Sequence, residues 1–254
     1  MNRWGLAAVG VAVLAAGCGQ GDGTWKEKIF PRTTAAHLVR IESQRADERR
    51  EGLQAVAADS NARRLPSVVK LFGMVARNDR DSMVRSAAVR GLGVMEGQDV
   101  VATLGHVATH DESPFVRIDA CQALGRQAAP EAATPLAAVL ADDRTPDVRV
   151  AAAEALRYLK DKAAAKALVA ALADSSLAVA TKAWESLRYM TGQNMPRQAQ
   201  PWDDFLASAE NPFEQYGRPP PMPKGANQRP QFTKGPAEFI RDLFARDVRE
   251  EELR

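Results

Sequence analysis

Aromatic residues make up only 6% of this 254-residue chain, and it holds just two cysteines, Cys18 and Cys121. So few rings speak against a β-sandwich, whose strands draw on β-branched and aromatic side chains. Two cysteines cannot supply the disulfide framework of a small secreted scaffold, so the fold must stand on packing. No apolar run beyond the first twenty residues approaches the roughly 20 residues that a membrane-spanning helix needs. Charge of one sign is also lacking. The formal net charge is +2, which gives no electrostatic footprint for a nucleic-acid polyanion. What remains is a 45% hydrophobic composition rich in alanine, suited to closely packed helices.

The first residues have the anatomy of an export signal: Arg3, an apolar run from Leu6 to Ala16, then Gly17 and Cys18. That run is too short to span a bilayer. Its ending, Leu14-Ala15-Ala16-Gly17-Cys18, resembles a lipobox, although Ala15 stands where leucine is usual. The resemblance implies cleavage after residue 17 and lipidation of the Cys18 sulfur, so the membrane is a partner through the N-terminal lipid. An ordinary cleaved signal that leaves Cys18 unmodified is the alternative. Gly19 stands where many inner-membrane lipoproteins carry Asp, which favours the outer membrane over the inner.

One phrase recurs through the body of the chain. Asp81-Ser-Met-Val84-Arg85 leads to Ala88 and Leu92; Ser113-Pro-Phe-Val116-Arg117 leads to Ala120 and Leu124; Thr145-Pro-Asp-Val148-Arg149 leads to Ala152 and Leu156; and Ser176-Leu-Ala-Val179-Ala180 leads to Ala183 and Leu187. The valines are 32, 32 and 31 residues apart. Val, Ala and Leu at intervals of four fall on one stripe of a helix, and the central alanine lets neighbouring axes approach. Asp81, Ser113, Thr145 and Ser176 are the expected N-caps, with Pro114 and Pro146 at the first helical position, where a missing N–H costs nothing. A second helix is expected between the phrases, over 99–109, 131–141 and 162–173, which makes each repeat a helical hairpin. A weaker copy runs from Asp47 to Val56, with 65–76 as its second helix. A short helix near 35–44 covers that end, and another at Pro201-Trp202 with Phe205 and Leu206 closes the opposite one.

The expected fold is therefore all-α, a right-handed α-solenoid of HEAT-like hairpins. Its boundaries are a signal peptide at 1–17, a tether at 18–33, the solenoid at 34–209 with four clear repeats and one degenerate, a Pro-rich linker at 210–236, and an amphipathic helix at 237–254. That last segment gathers Phe239, Ile240, Leu243 and Phe244 on one face, which needs an apolar surface to cover it. These four residues are the candidate interaction site, in a groove of a partner or on the chain's own solenoid.

The Val-Arg, Ala and Leu columns in a period near 31 resemble HEAT repeats of the phycobilisome-lyase-like type. Together with the lipoprotein signal and the Thr191-Gly192 turn before Trp202, they resemble HEAT-repeat lipoproteins of planctomycete-type bacteria. The resemblance implies fold and cellular location and brings no established activity. Deoxyhypusine hydroxylases, which bind di-iron through His-Glu pairs, share the repeat, but no His-Glu dipeptide occurs in this chain.

The remaining candidates each have a plain structural reading. Arg85, Arg117 and Arg149 form a ladder that either binds phosphate or acidic peptide or bonds acids and carbonyls of the adjacent repeat; the latter is expected. His106 and His110, four apart, lack a third metal ligand at a recognised spacing. Cys121 shares a column with Val89, Ala153 and Trp184 and fills a packing slot. No catalytic residue, metal or cofactor is assigned. The functional expectation is a non-enzymatic, lipid-anchored scaffold or adaptor for unidentified envelope proteins, with an envelope enzyme or its accessory subunit as the alternative and no nucleic acid as partner.

Overall fold

The computed structural model describes residues 32–97 and 99–218. The signal peptide, Cys18, most of the tether, the linker beyond Arg218 and the terminal segment with Phe239, Ile240, Leu243 and Phe244 lie outside the described residues.

Eleven α-helices and no strand occur among the described residues. They are α1 (Arg32–Ile41), α2 (Ala46–Ala58), α3 (Pro66–Asn78), α4 (Ser82–Leu92), α5 (Val100–His110), α6 (Pro114–Gln127), α7 (Ala133–Asp142), α8 (Pro146–Leu156), α9 (Lys162–Ala170), α10 (Leu177–Thr191) and α11 (Ala199–Ser208). The even-numbered helices α2 to α10 carry the repeated phrase and pack side by side in one layer. The odd-numbered helices α3 to α11 form the second layer, and α1 packs on α2 at the N-terminal end. The result is an α-solenoid with one continuous core between the layers.

The columns of the repeat account for that core. Val84, Val116, Val148 and Val179 are fully buried, as are Ala88, Ala120, Ala152 and Ala183. Leu92, Leu124, Leu156 and Leu187 complete the phrase stripe, and Leu104, Leu136 and Leu168 answer it from the other layer. Burying each leucine is worth about 1.5–3 kcal/mol. The axes come close where the sequence is small. A Cβ added at Gly125 in α6 would lie 3.1 Å from the Ala155 Cα and 3.2 Å from its Cβ in α8.

Helix pairing follows a different phase from the one the phrase suggests. The close hairpins are α1–α2, α3–α4, α5–α6, α7–α8 and α9–α10, so the phrase helix closes each hairpin rather than opening it. The reason is connection length. Only three residues separate α3 from α4, α5 from α6, and α7 from α8, and such tight turns force antiparallel contact. The longer returns, as from α4 to α5 or α8 to α9, step to the next unit. The degenerate first repeat is accordingly α1 with α2, and α1 is the first half of a hairpin.

The N-caps also divide. The Asp81 carboxylate accepts the Met83 and Val84 N–H groups, whereas the side chains of Ser113, Thr145 and Ser176 make no cap bond. At all four turns an aspartate two residues earlier instead fixes the N-cap residue through its own N–H. Asp111, Asp143 and Asp174 accept the N–H of Ser113, Thr145 and Ser176 at 2.8, 2.8 and 2.7 Å, and Asp79 accepts that of Asp81 at 2.9 Å.

At the far end, α10 stops at Gly192, whose φ of +67° suits a residue without Cβ. Trp202 of α11 is fully buried over the last repeat, and its indole N–H donates to the Pro196 carbonyl at 2.8 Å. Residues 211–218, which composition assigns to the extended linker, instead turn back onto the solenoid. Asn211 Oδ1 accepts the Phe213 N–H, Pro212 is buried, Phe213 packs against the core, and the Gly217 N–H donates to the Tyr189 carbonyl at 2.9 Å. Two aromatic side chains among the prolines supply that anchorage.

Candidate functional site

The aspartates at the tight turns are also the acceptors for the arginine column. Arg85 Nε and Nη2 meet Asp111 at 2.8 and 2.9 Å, and Arg117 meets Asp143 at 2.6 and 3.0 Å. Arg149 meets Asp174 at 2.8 Å through both nitrogens. Each guanidinium turns its third nitrogen, Nη1, to the carbonyl of the preceding aspartate, so Arg85, Arg117 and Arg149 donate to the Asp79, Asp111 and Asp143 oxygens at 2.9 Å. Every arginine thus joins two successive turns. Both side chains of the Arg85–Asp111 pair are only 6% exposed.

Arg49 makes the same contacts, to Asp79 at 2.8 Å twice and to the Ser43 carbonyl at 3.0 Å, and adds a rung that the weak first copy concealed. The aspartates Asp79, Asp111, Asp143 and Asp174 recur at 32, 32 and 31 residues. Their column was present in the sequence and is the signal that identifies the arginines' partners. At Asp143, burial opposes the charge, but the Arg117 bonds and the Thr145 N–H outweigh it and hold the carboxyl below its ordinary range. At Asp174 the Arg149 hydrogen bond dominates and pushes in the same direction, against burial. The ladder therefore spends its donors and acceptors on the fold. Where it ends, Ala180 replaces the arginine.

The other sequence candidates are set apart from one another. Cys121 is buried in α6, and burial, reinforced by the Asp143 charge, pushes its thiol up to about 12. Such a thiol is a packing group and not a nucleophile. His106 and His110 stack at 4.6 Å on the exposed face of α5, and burial, the neighbouring imidazole and Arg77 lower the His106 pKa. Among the described residues no three His, Cys, Asp or Glu side chains are grouped to hold a metal ion.

A groove of about 480 Å³ opens at the opposite edge of the phrase layer, between the C-terminal halves of α6 and α8. Gln122, Gly125, Arg126 and Ala128 line one side, Ala151, Glu154, Ala155 and Tyr158 the other, and Tyr216 closes the rim. Gly125, Ala151 and Ala155 leave its floor without side chains beyond Cβ. Arg126 is exposed and lies across Gly93, where an added Cβ would come within 2.6 Å of the Arg126 guanidinium. No carboxylate among the described residues pairs with Arg126.

Beside the groove, Tyr158, Tyr189 and Tyr216 form a chain of edge-to-face contacts, with centroids 6.1 and 5.3 Å apart. The Arg157 guanidinium sits 4.8 and 5.0 Å from the Tyr158 and Tyr189 ring centres, and Lys160 sits 4.6 Å from that of Tyr216. Arg157 donates to the Tyr158 hydroxyl at 2.7 Å and reaches Glu154 only at 3.5 Å, leaving its Nε buried without a partner. Burial and the neighbouring Tyr189 and Tyr158 raise the Tyr216 pKa, so its hydroxyl is a neutral donor.

A family model described as HEAT repeats matches residues 69–157 and 134–214, more than half of the chain. The protein belongs to the HEAT-repeat family. Its ladder and columns are thus those of a HEAT-type helical-repeat scaffold. Among solved structures, this HEAT-repeat chain is similar to human deoxyhypusine hydroxylase in complex with glycerol, at 18% identity and a TM-score of 0.44, over 61% of this chain and 73% of that one. No curated protein matches it. None of the helices among the described residues is long and apolar enough to cross a membrane.

Proposed function

We propose that this HEAT-repeat protein is a lipid-anchored scaffold or adaptor of the cell envelope that binds a partner protein in the groove between α6 and α8. One observation carries the reading: the groove is lined by polar and aromatic side chains that the fold does not consume. Arg126 lacks an ion-pair partner among the described residues, and Tyr158 and Tyr216 offer ring surface at the rim. Arginine and tyrosine are the residues that most often dominate binding energy at interfaces. The small-residue floor accepts an inserted side chain, and the lipid on Cys18 holds the stack at the membrane.

Crosslinking capture from native envelope tests both halves. A specific partner recovered by the full chain and lost with Arg126→Glu supports the groove. Equal recovery by both versions removes the groove from the reading, and recovery by neither sinks the scaffold. Release of the Cys18→Ser variant from the membrane fraction is the expected result for the anchor, and retention would overturn it.

A further inference from the structure

The groove has a selective lining. Its floor of Gly125, Ala151 and Ala155, walled by Tyr158, has room for a bulky apolar side chain. Around that floor, Arg126 and Lys160 present cations, and Glu154 presents a carboxylate on the α8 side. A fitting occupant has aromatic side chains flanked mainly by acids, with a cation available for Glu154.

The chain carries such a segment. Tyr216 is part of the groove rim, and the Gly217 N–H is tied to the Tyr189 carbonyl, so the last described residues lie beside the groove. Beyond a Pro-rich stretch to Pro236, residues 237–254 hold Phe239 and Phe244 beside Glu238, Arg241 and Asp242, with six acids against four arginines overall. Eighteen intervening residues can extend to about 56 Å at ~3.1 Å each, so reach is no obstacle. Closing that loop costs an entropy that grows only with the logarithm of its length. A tethered segment of this kind faces its site at an effective concentration in the millimolar range, enough for a weak contact to be populated.

We propose that residues 237–254 dock into the α6–α8 groove of their own chain, with an aromatic side chain of the Phe239–Phe244 stretch on the alanine floor and the flanking acids at Arg126 and Lys160. The segment is then a built-in competitor that a partner must displace. This rests on the groove being the binding face proposed above.

The test uses the full chain with a photoreactive phenylalanine analogue in place of Gln122, prepared as an equal mixture of isotopically light and heavy protein. The expected product is a crosslink from position 122 to residues 237–254 within single-isotope molecules. The yield should fall by about tenfold or more in a Phe239→Ser/Phe244→Ser variant, which removes whichever phenyl group is buried, because losing one weakens association by about that factor. Mixed-isotope products would overturn the proposal in favour of exchange between two copies. Crosslinks confined to other regions, or hydrogen exchange of 237–254 at the rate of the isolated peptide, would also overturn it. Neither result bears on the envelope capture, so the two readings fail separately.

Discussion

At the tight-turn edge of the stack, Arg49, Arg85, Arg117 and Arg149 each bind a half-buried aspartate and a backbone carbonyl, while at the return edge Arg126 and Arg157 rest on glycine and tyrosine. The residue type is the same, and the difference lies in the column. The position after each phrase valine holds arginine three times in succession. The position ten residues after each valine reads Val94, Arg126, Tyr158 and Tyr189. A repeat protein builds its frame from columns that hold and its recognition surface from columns that vary.

The contrast can be broken most forcefully on the ladder. Arg117→Ala leaves Asp143 charged, half-buried and without its partner, which is expected to cost about 1.5–3 kcal/mol of stability in urea or thermal unfolding. A loss below about 1 kcal/mol would mean that solvent reaches the turn and the ladder is not structural.

Acid should act on the same rungs more gradually. The Asp143 and Asp174 carboxyls titrate below their ordinary value in the folded chain, so their contribution is complete above the unfolded pKa of about 3.9 and disappears as pH falls through the lower folded values. The urea midpoint is expected to fall as pH drops below that point, and an Asp174→Asn variant should show lower stability at neutral pH with a shallower dependence. An unchanged slope in the variant would show that other carboxylates govern the acid limb.

The smallest expected effect sharpens the comparison from the other side. Arg126→Ala should change stability by no more than about 0.5 kcal/mol, as surface substitutions away from buried networks do. A cost comparable to that of Arg117→Ala would place Arg126 among the structural arginines and undo the distinction between the two edges.

Much of the frame was readable in the residues. The Val, Ala and Leu columns announced which side chains are buried, and the prolines at 114 and 146 marked two helix starts. Three things were not readable in the same way. The hairpin phase depends on comparing connection lengths rather than on the phrase. Ser113, Thr145 and Ser176 make no cap bond, and the turns before them are fixed by aspartates that precede the phrase. The groove draws on columns whose residue changes from copy to copy, Gln122 with Glu154 and Arg126 with Tyr158, so the period aligns these positions but no repeated residue type marks them; Tyr216 reaches it only because 211–218 fold back. Arg49 was hidden for a related reason, since its copy of the phrase has lost the valine that signals the others.

Every rung of the ladder runs through the turns that close hairpins, three residues long at Asp79, Asp111 and Asp143, and none uses the returns between hairpins. An added residue in a tight turn would move an aspartate out of reach of its arginine, while one added between α4 and α5, or between α8 and α9, would leave all four rungs in place. The molecule thus has a rigid seam and a permissive seam, and the groove lies along the permissive one. Loops there can be lengthened or exchanged to redesign what the stack recognises without rewriting how it stands.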